Sequence, residues 1–360
     1  MGGGVRLAMT PASARAASPI QPMGVPELAA WLRGRPRLGL GREAPSARWR
    51  LERATVEILK NASGRRLTWR CRLAFERAGG ARRRMTVIAK QYARTDLARR
   101  LARHLRSLRF QPDGAAFRVP RLLGVDARRG VVFMEALPGT LLERAMLRSP
   151  LERELTAAGA LLARFHGGVA RAEKRVTRAD ELARVRDAGE IVARTFPELS
   201  GPLGRIGETL AGVAWPRGRD RILLHGSFRP NHLVLHRGEL GVLDLESLRW
   251  GPAGYDIANW IAALHYREAV GRLARAVRRR ATRAMLRGYR GHGGDESCVR
   301  VLWLTAGLMV QKQVLKLATR PHARARECAR TLLAHAEALA NHAATTHPGA
   351  RLDRLLELLP

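Results

Sequence analysis

Residues 222–259 limit what this chain can fold into more than any other stretch. They read Ile222-Leu-Leu-His225-Gly226-Ser227-Phe-Arg229-Pro230-Asn231-His232-Leu-Val-Leu235, then Gly241-Val-Leu-Asp244-Leu-Glu246, then Gly251-Pro-Ala-Gly-Tyr255-Asp256-Ile-Ala-Asn259. Two apolar, strand-like runs flank polar turns. The turns gather a His-Gly pair, an Asn-His pair, two carboxylates two residues apart and an Asp in apolar surroundings. The pattern predicts a short hairpin set among helices, with His225-Gly226-Ser227 in the loop between its strands.

Each of these residue types has a use in phosphoryl transfer, which asks for positioning and charge neutralisation more than for covalent chemistry. A lysine pairs with nucleotide phosphates, a loop offers backbone N–H groups, Asp and Asn hold a divalent metal, and a further Asp orients the acceptor hydroxyl. Asp244 follows the apolar run Leu240-Gly-Val-Leu243 and is expected at the end of a buried strand, with Glu246 on the same face if the strand continues; its plain alternative is an exposed turn residue. Asn231 and His232 compete for the second metal position. An amide oxygen suits magnesium, an imidazole suits zinc, manganese or another transition metal, and His232 reads equally well as a loop histidine bonded to its neighbours. His225 is expected to hold the loop by hydrogen bonds, and Asp256 to open a helix and brace the same loop. Ser227 stands where the chemistry asks for a carboxylate, and losing a general base typically costs about 10²–10⁴ in rate. Upstream, Lys90 lies inside the apolar run Thr86-Val-Ile-Ala-Lys90-Gln-Tyr, either on phosphates or as a solvated edge lysine. Asn61-Ala-Ser63-Gly64-Arg65-Arg66 reads as a phosphate loop or as an ordinary hairpin turn.

Around these motifs the chain changes character. Alternating runs at residues 55–59, 67–73, 85–92, 119–123 and 130–134 predict strands, with a basic helix at 97–108. After Gly139 the spacing is helical, at 151–166 and at 180–194, where Asp180 is placed as N-cap, and again from residue 269 onward. Residues 301–310 form the longest apolar run and are expected in a buried helix, since about 20 such residues are needed to cross a bilayer. A short helix at 25–34 is expected to precede the folded body. Residues 1–45 are expected to be a weakly ordered extension with no apolar leader core.

The formal net charge is +34, nearly all from arginine, because the chain has only five lysines: Lys60, Lys90, Lys174, Lys312 and Lys316. One implication is a nonspecific anionic partner, nucleic acid included. The other is arginine-rich composition spread over solvated faces, which the scattered positions favour. Cys71, Cys298 and Cys328 lie far apart without a C-x-x-C pair, which argues against a zinc or disulfide framework and suits a reducing, cytoplasmic setting.

In order and spacing these residues resemble the aminoglycoside phosphotransferase and choline kinase-like superfamily, the small-molecule branch of the protein-kinase fold. The family's loop runs His-Gly-Asp-x-x-Pro-x-Asn or Gln, where this chain has His225-Gly226-Ser227-Phe228-Arg229-Pro230-Asn231-His232. Its Ile-Asp-Phe-Asp/Glu is similar to Leu243-Asp244-Leu245-Glu246, and its Gly-Asp-Pro-x-x-Asp-Leu-Ala to Gly251-Pro252-Ala-Gly-Tyr255-Asp256-Ile257-Ala258. Val87-Ile-Ala-Lys90, Met134-Glu135-Ala-Leu-Pro-Gly139 and Leu161-Leu-Ala-Arg-Phe-His166 extend the resemblance upstream.

The resemblance implies an α+β, bilobal fold, with a β-rich N-lobe at 46–138 and a helical C-lobe at 139–360 whose catalytic-loop hairpin spans 222–260. It implies catalytic positions at Ser227, His225 and Arg229, nucleotide contacts at Lys90, Ser63, Gly64 and Glu135, and metal ligands among Asp244, His232, Asn231 and Glu246. The cofactors would be ATP or GTP with Mg2+ or Mn2+, and the substrate a small hydroxylated molecule. Three departures stand out: Ser227 replaces the catalytic Asp, His232 falls on the Asn/Gln position, and no glutamate occurs between residues 97 and 117 to pair with Lys90. Two functions follow, a phosphotransferase in which Glu246 or water stands in for the base, or a pseudokinase that binds nucleotide as a scaffold. The basic C-terminal helices show no acidic cluster for a polycationic aminoglycoside.

Overall fold

The computed structural model describes residues 27, 49–62, 66–77, 80–108, 118–149, 151–168, 170–216 and 218–360. Ser63, Gly64, the 25–34 helix apart from Glu27, and most of the 1–45 extension lie outside the described residues. Two compact units emerge, one ending with Val119–Pro138 and the other holding Gly139–Pro360. Together they are α+β, as expected from the sequence.

The first unit is built on an antiparallel sheet of β1 (Trp49–Ala62), β2 (Arg66–Arg77), β3 (Arg82–Tyr92), β4 (Leu122–Asp126) and β5 (Val131–Glu135), in the order β1-β2-β3-β5-β4. Alternation along β2 sends Leu67, Trp69, Cys71, Leu73 and Phe75 to one face, where they meet Val87, Ala89, Val131 and Phe133. Each large apolar side chain buried this way contributes roughly 1.5–3 kcal/mol. Burial also pushes the Cys71 thiol up to about 12, so it is inert. Helix α1 (Thr95–Ser107) buries Ala98, Leu101, Ala102 and Leu105 and packs against β4 and β5. The strand expected at 119–123 starts later, at Leu122. Pro120 has no N–H to give a ladder, and it is the Arg121 carbonyl that accepts from Glu135 N at 2.9 Å.

The second unit is mainly helical. Its principal helices are α2 (Glu152–His166), α3 (Arg178–Thr195), α4 (Ser200–Gly212), α5 (Gly254–Ala269), α6 (Arg275–Gly291), α7 (Cys298–Leu308) and α8 (Ala325–Thr345). Helix α3 is capped by Thr177, whose side chain accepts from Asp180 N at 3.1 Å. Asp180 therefore sits in the first turn instead of at the N-cap, because the shorter Thr hydroxyl already satisfies that N–H. Helices α2 and α6 cross at Gly159 and Gly288. A Cβ on Gly159 would collide with the Met285 carbonyl, and one on Gly288 with the Thr156 carbonyl. Every residue of α7 is buried, and the helix runs on into a π-helical turn, Met309–Val314. Among the described residues no helix is long and apolar enough to cross a membrane.

Two small sheets carry the motif region. Strands β6 (Thr140–Leu141), β9 (Leu233–His236) and β10 (Glu239–Val242) form one, ordered β10-β9-β6, and β7 (Lys174–Arg175), β8 (Ile222–Leu224) and β11 (Arg249–Gly251) form the other, ordered β7-β11-β8. The strands flanking His225-Gly226-Ser227 thus do not pair with each other, contrary to the expected 222–260 hairpin. β8 pairs with β11 and β9 with β10. The actual hairpin turns at Arg237-Gly238, both at positive φ (52° and 82°), which matches the strand twist.

Several of the arginines pair with nearby carboxylates, although the 31 acidic residues cannot neutralise 65 basic ones. Arg70 and Arg72 meet Glu57, Arg205 meets Glu337, Arg278 meets Glu268, and Arg326 and Arg330 meet Glu198.

Candidate active site

Asp256, in the first turn of α5 and wholly buried, is the hub of the loop. Its Oδ2 accepts from His225 N at 2.7 Å and its Oδ1 from Gly226 N at 2.8 Å. His166 Nε2 lies 3.3 Å from the same Oδ2, and His166 Nδ1 lies 3.0 Å from the Tyr289 hydroxyl. Burial pushes the Asp256 carboxyl up, but His166 and His225 outweigh it and hold its pKa below the ordinary value. Asp256 braces the loop as expected from sequence; it does not cap its own helix. Gly226 makes the turn possible: its φ is +77°, and a Cβ there would strike the Ser247 carbonyl.

His225 holds the loop from the side. Its Nδ1 accepts from Ser227 N at 3.3 Å, so the proton is on Nε2, which donates to the Leu243 carbonyl at 2.8 Å. Burial lowers its pKa against the pull of Asp256, and the ring stays neutral. These bonds tie the His225 end of the loop to the strand end that carries Asp244.

The chemical face lies one residue further on. Ser227 is nearly buried, and its Oγ is 3.3 Å from His232 Nδ1. On the other side of that ring, Nε2 is 3.0 Å from Arg229 Nη2 and 3.3 Å from Asp244 Oδ2. A guanidinium only donates and a carboxylate only accepts, so the tautomer selects the partner. With the proton on Nε2 the ring faces Asp244 and its Nδ1 accepts from the Ser227 hydroxyl. With the proton on Nδ1 the ring accepts from Arg229. Asp244 itself adopts a left-handed conformation (φ 60°, ψ 46°) just past β10, and a 3-10 turn, Leu245–Ser247, follows. The strand therefore does not continue to Glu246, which rides on the turn instead of sharing a strand face with Asp244. Non-glycine residues in this region are uncommon and cluster at functional sites.

Asp244 is a partly exposed carboxylate, the donor type that hard divalent cations take. Asn231 brings the amide oxygen such ions accept and lines a cavity beside the loop with Arg229. Both nitrogens of His232 already have protein partners. Among the described residues there is no cluster of three or more His, Cys, Asp or Glu side chains that could hold a metal. In the first unit, Lys90 is half-buried on β3 opposite Thr68 and Val132, and Glu135 ends β5 opposite Val87.

Two residues near the loop escaped the sequence reading. His166 was read only as the end of a helix, since nothing local marks a partner 90 residues away. Lys312, on the π-helical turn, donates from Nζ to Asn259 Oδ1 at 2.7 Å and stands 5.0 Å over the Tyr255 ring. Burial, then Arg249 and Arg229, lower its pKa to about 7. Its signal was available: a lysine two residues beyond the chain's longest apolar run.

No curated protein matches the sequence. Among solved structures, the chain is similar to the spectinomycin phosphotransferase APH(9)-Ia, in complex with ADP and spectinomycin. That likeness has 9% identity, covers 90% of this chain and 99% of the other, and has a TM-score of 0.54. It is also similar to a choline/ethanolamine kinase family protein from Mesorhizobium loti, with 17% identity, 92% and 98% coverage, and a TM-score of 0.51. At these identities the likeness is one of fold. Residues 72–292, more than half of the 360-residue chain, match the phosphotransferase enzyme family; with the braced His225–His232 loop and Asp244 within that span, the chain belongs to this family.

Proposed function

We propose that this protein is a small-molecule kinase that moves the γ-phosphate of ATP or GTP onto an acceptor hydroxyl. The observation that carries the reading is Ser227 Oγ held 3.3 Å from His232 Nδ1, with His232 Nε2 3.3 Å from Asp244. Ser227 cannot accept a proton as a carboxylate does, but it can relay one. The acceptor hydroxyl gives its proton to Ser227 Oγ while Ser227 passes its own to His232 Nδ1, and Asp244 steadies the imidazolium that results. The freed acceptor oxygen bonds to the γ-phosphorus as the bond to the bridging oxygen breaks and the nucleoside diphosphate leaves. Because the transition state is loose, positioning and charge neutralisation are the larger demands, and the relay supplies the proton transfer beside them.

Arg229, on the same turn, adds fixed positive charge. Lys90 takes a nucleotide phosphate, Glu135 is a further nucleotide contact, and Asp244 with Asn231 takes the divalent metal. That metal, when bound, neutralises charge on the phosphates. The pseudokinase reading rests on Ser227, on His232 at the Asn/Gln position and on the missing glutamate between residues 97 and 117; the imidazole beside Ser227 answers the first of these.

Thermal unfolding with ATP and with GTP, each with Mg2+ or Mn2+, tests the proposal. Nucleotide at about 100 times its Kd adds about 2.7 kcal/mol, so a metal-dependent rise in Tm is expected for one nucleotide and should vanish in Asp244→Ala. Absence of any rise under all conditions would remove the kinase reading.

A further inference from the structure

A cavity of about 390 Å³ opens beside the loop, walled by Arg229, Pro230 and Asn231. Its volume is that of a small-molecule site. The short helix Leu142–Ala145, the end of α5 and the π-helical turn with its continuation complete the wall. Leu264 and Leu273 give it apolar surface, as a carbon skeleton requires.

Its charge is one-sided. Arg144, Arg229, Arg267, Arg272 and Lys316 line it, against a single carboxylate, Glu143. Glu143 is taken by an ion pair with Arg267, leaving Arg144, Arg272 and Lys316 with no carboxylate of the lining to balance them. Lys316 stands with Nζ 3.8 Å over the Tyr266 ring. Burial and then Arg267, Arg320, Arg229 and Arg272 all push its pKa down, to about 8. Its surroundings are therefore positive, and an anion placed there would relieve them. Gln313 and Lys316 reach the cavity from the π-helical turn and the helix that continues it, a distortion often found at functional sites.

We propose that this cavity is the acceptor site and that the acceptor is a small hydroxylated anion. Its carboxylate or phosphate group is gripped by Arg272 and Lys316, and its hydroxyl is turned toward the Arg229–Asn231 turn. The inference rests on the kinase reading above and narrows it. A neutral sugar forgoes the charge pairing, and a polycationic aminoglycoside meets like charge on several sides.

Calorimetric titration of the purified full chain tests it. Mg–ADP is titrated first. Then come matched probes: glycerol 3-phosphate and glycerate against glycerol, gluconate against glucose, and kanamycin as the polycation. Each anion is expected to bind at least tenfold more tightly than its neutral partner, with a preference that shrinks as salt rises. The phosphate and carboxylate arms report which group the cations select. Arg272→Glu and Lys316→Glu should each cost the anions at least tenfold while Mg–ADP titrates as in wild type, which shows that the variants fold. The proposal is overturned if no anion binds, if glycerol or kanamycin binds as tightly, or if both variants keep the anion affinity. Failure of wild-type protein to bind Mg–ADP is a separate result and counts against the kinase reading itself.

Discussion

The two ends of the loop from His225 to His232 are built on opposite terms. At the His225–Gly226 end the backbone does the work: two N–H groups point at a wholly buried Asp256, and a glycine fits where no other residue does. At the Ser227–His232 end the side chains do the work, and they form one short chain from hydroxyl to imidazole to carboxylate. The first end fixes where the loop runs and leaves little freedom of substitution. The second places the groups of the proposed relay, Ser227, His232 and Asp244.

The largest blow to the frame is Asp256→Ala. It strands the buried N–H groups of His225, Gly226 and Phe228 and a buried histidine, and is expected to cost about 3–5 kcal/mol in denaturant unfolding. Because the folded pKa of Asp256 is depressed, its contribution is fully present above the unfolded value of about 3.9 and is lost as pH falls through the folded one. Asp256→Asn should flatten that acid limb; an unchanged limb would assign it to other carboxylates.

On the chemical side, His232→Ala is expected to lower the transfer rate by about 10²–10⁴, measured well below its Tm because the buried ring also holds Ser227 and Arg229. Ser227→Ala should cost less, roughly tenfold, because water can bridge to the ring. A larger loss for Ser227→Ala than for His232→Ala would reverse the proposed roles. Gly226→Ala, back on the frame, should cost about 1–3 kcal/mol of stability and lower the rate through misplacement of Ser227. A variant with wild-type Tm would show that the frame yields more easily than its geometry suggests.

The sequence displayed the residue types of this site but not its pairings. His225, Ser227, Asp244 and Asp256 were legible because a turn between strands leaves few places for polar side chains. The five-stranded sheet was legible in alternations such as that from Leu67 to Leu73, and the buried α7 in the largely apolar run of residues 301–310. Strand partners were not, because β8 and β11 are joined through contacts that no local pattern records. Nor was the left-handed turn at Asp244, which moves Glu246 off the face where strand periodicity put it. The acceptor cavity was hidden for the same reason, since its cations come from positions 144, 229, 272 and 316 and meet only in the fold.

The crossing of α2 and α6 at Gly159 and Gly288 carries no chemistry, yet the loop takes its tolerances from it. His166 ends α2, Tyr289 follows Gly288 on α6, and their 3.0 Å contact leads directly to Asp256. The spacing of the two backbones thus works as a gauge block for the clamp. A single methyl group at either glycine would push the two backbones apart and reset the gauge, and the site would lose its fit without any of its own residues having changed.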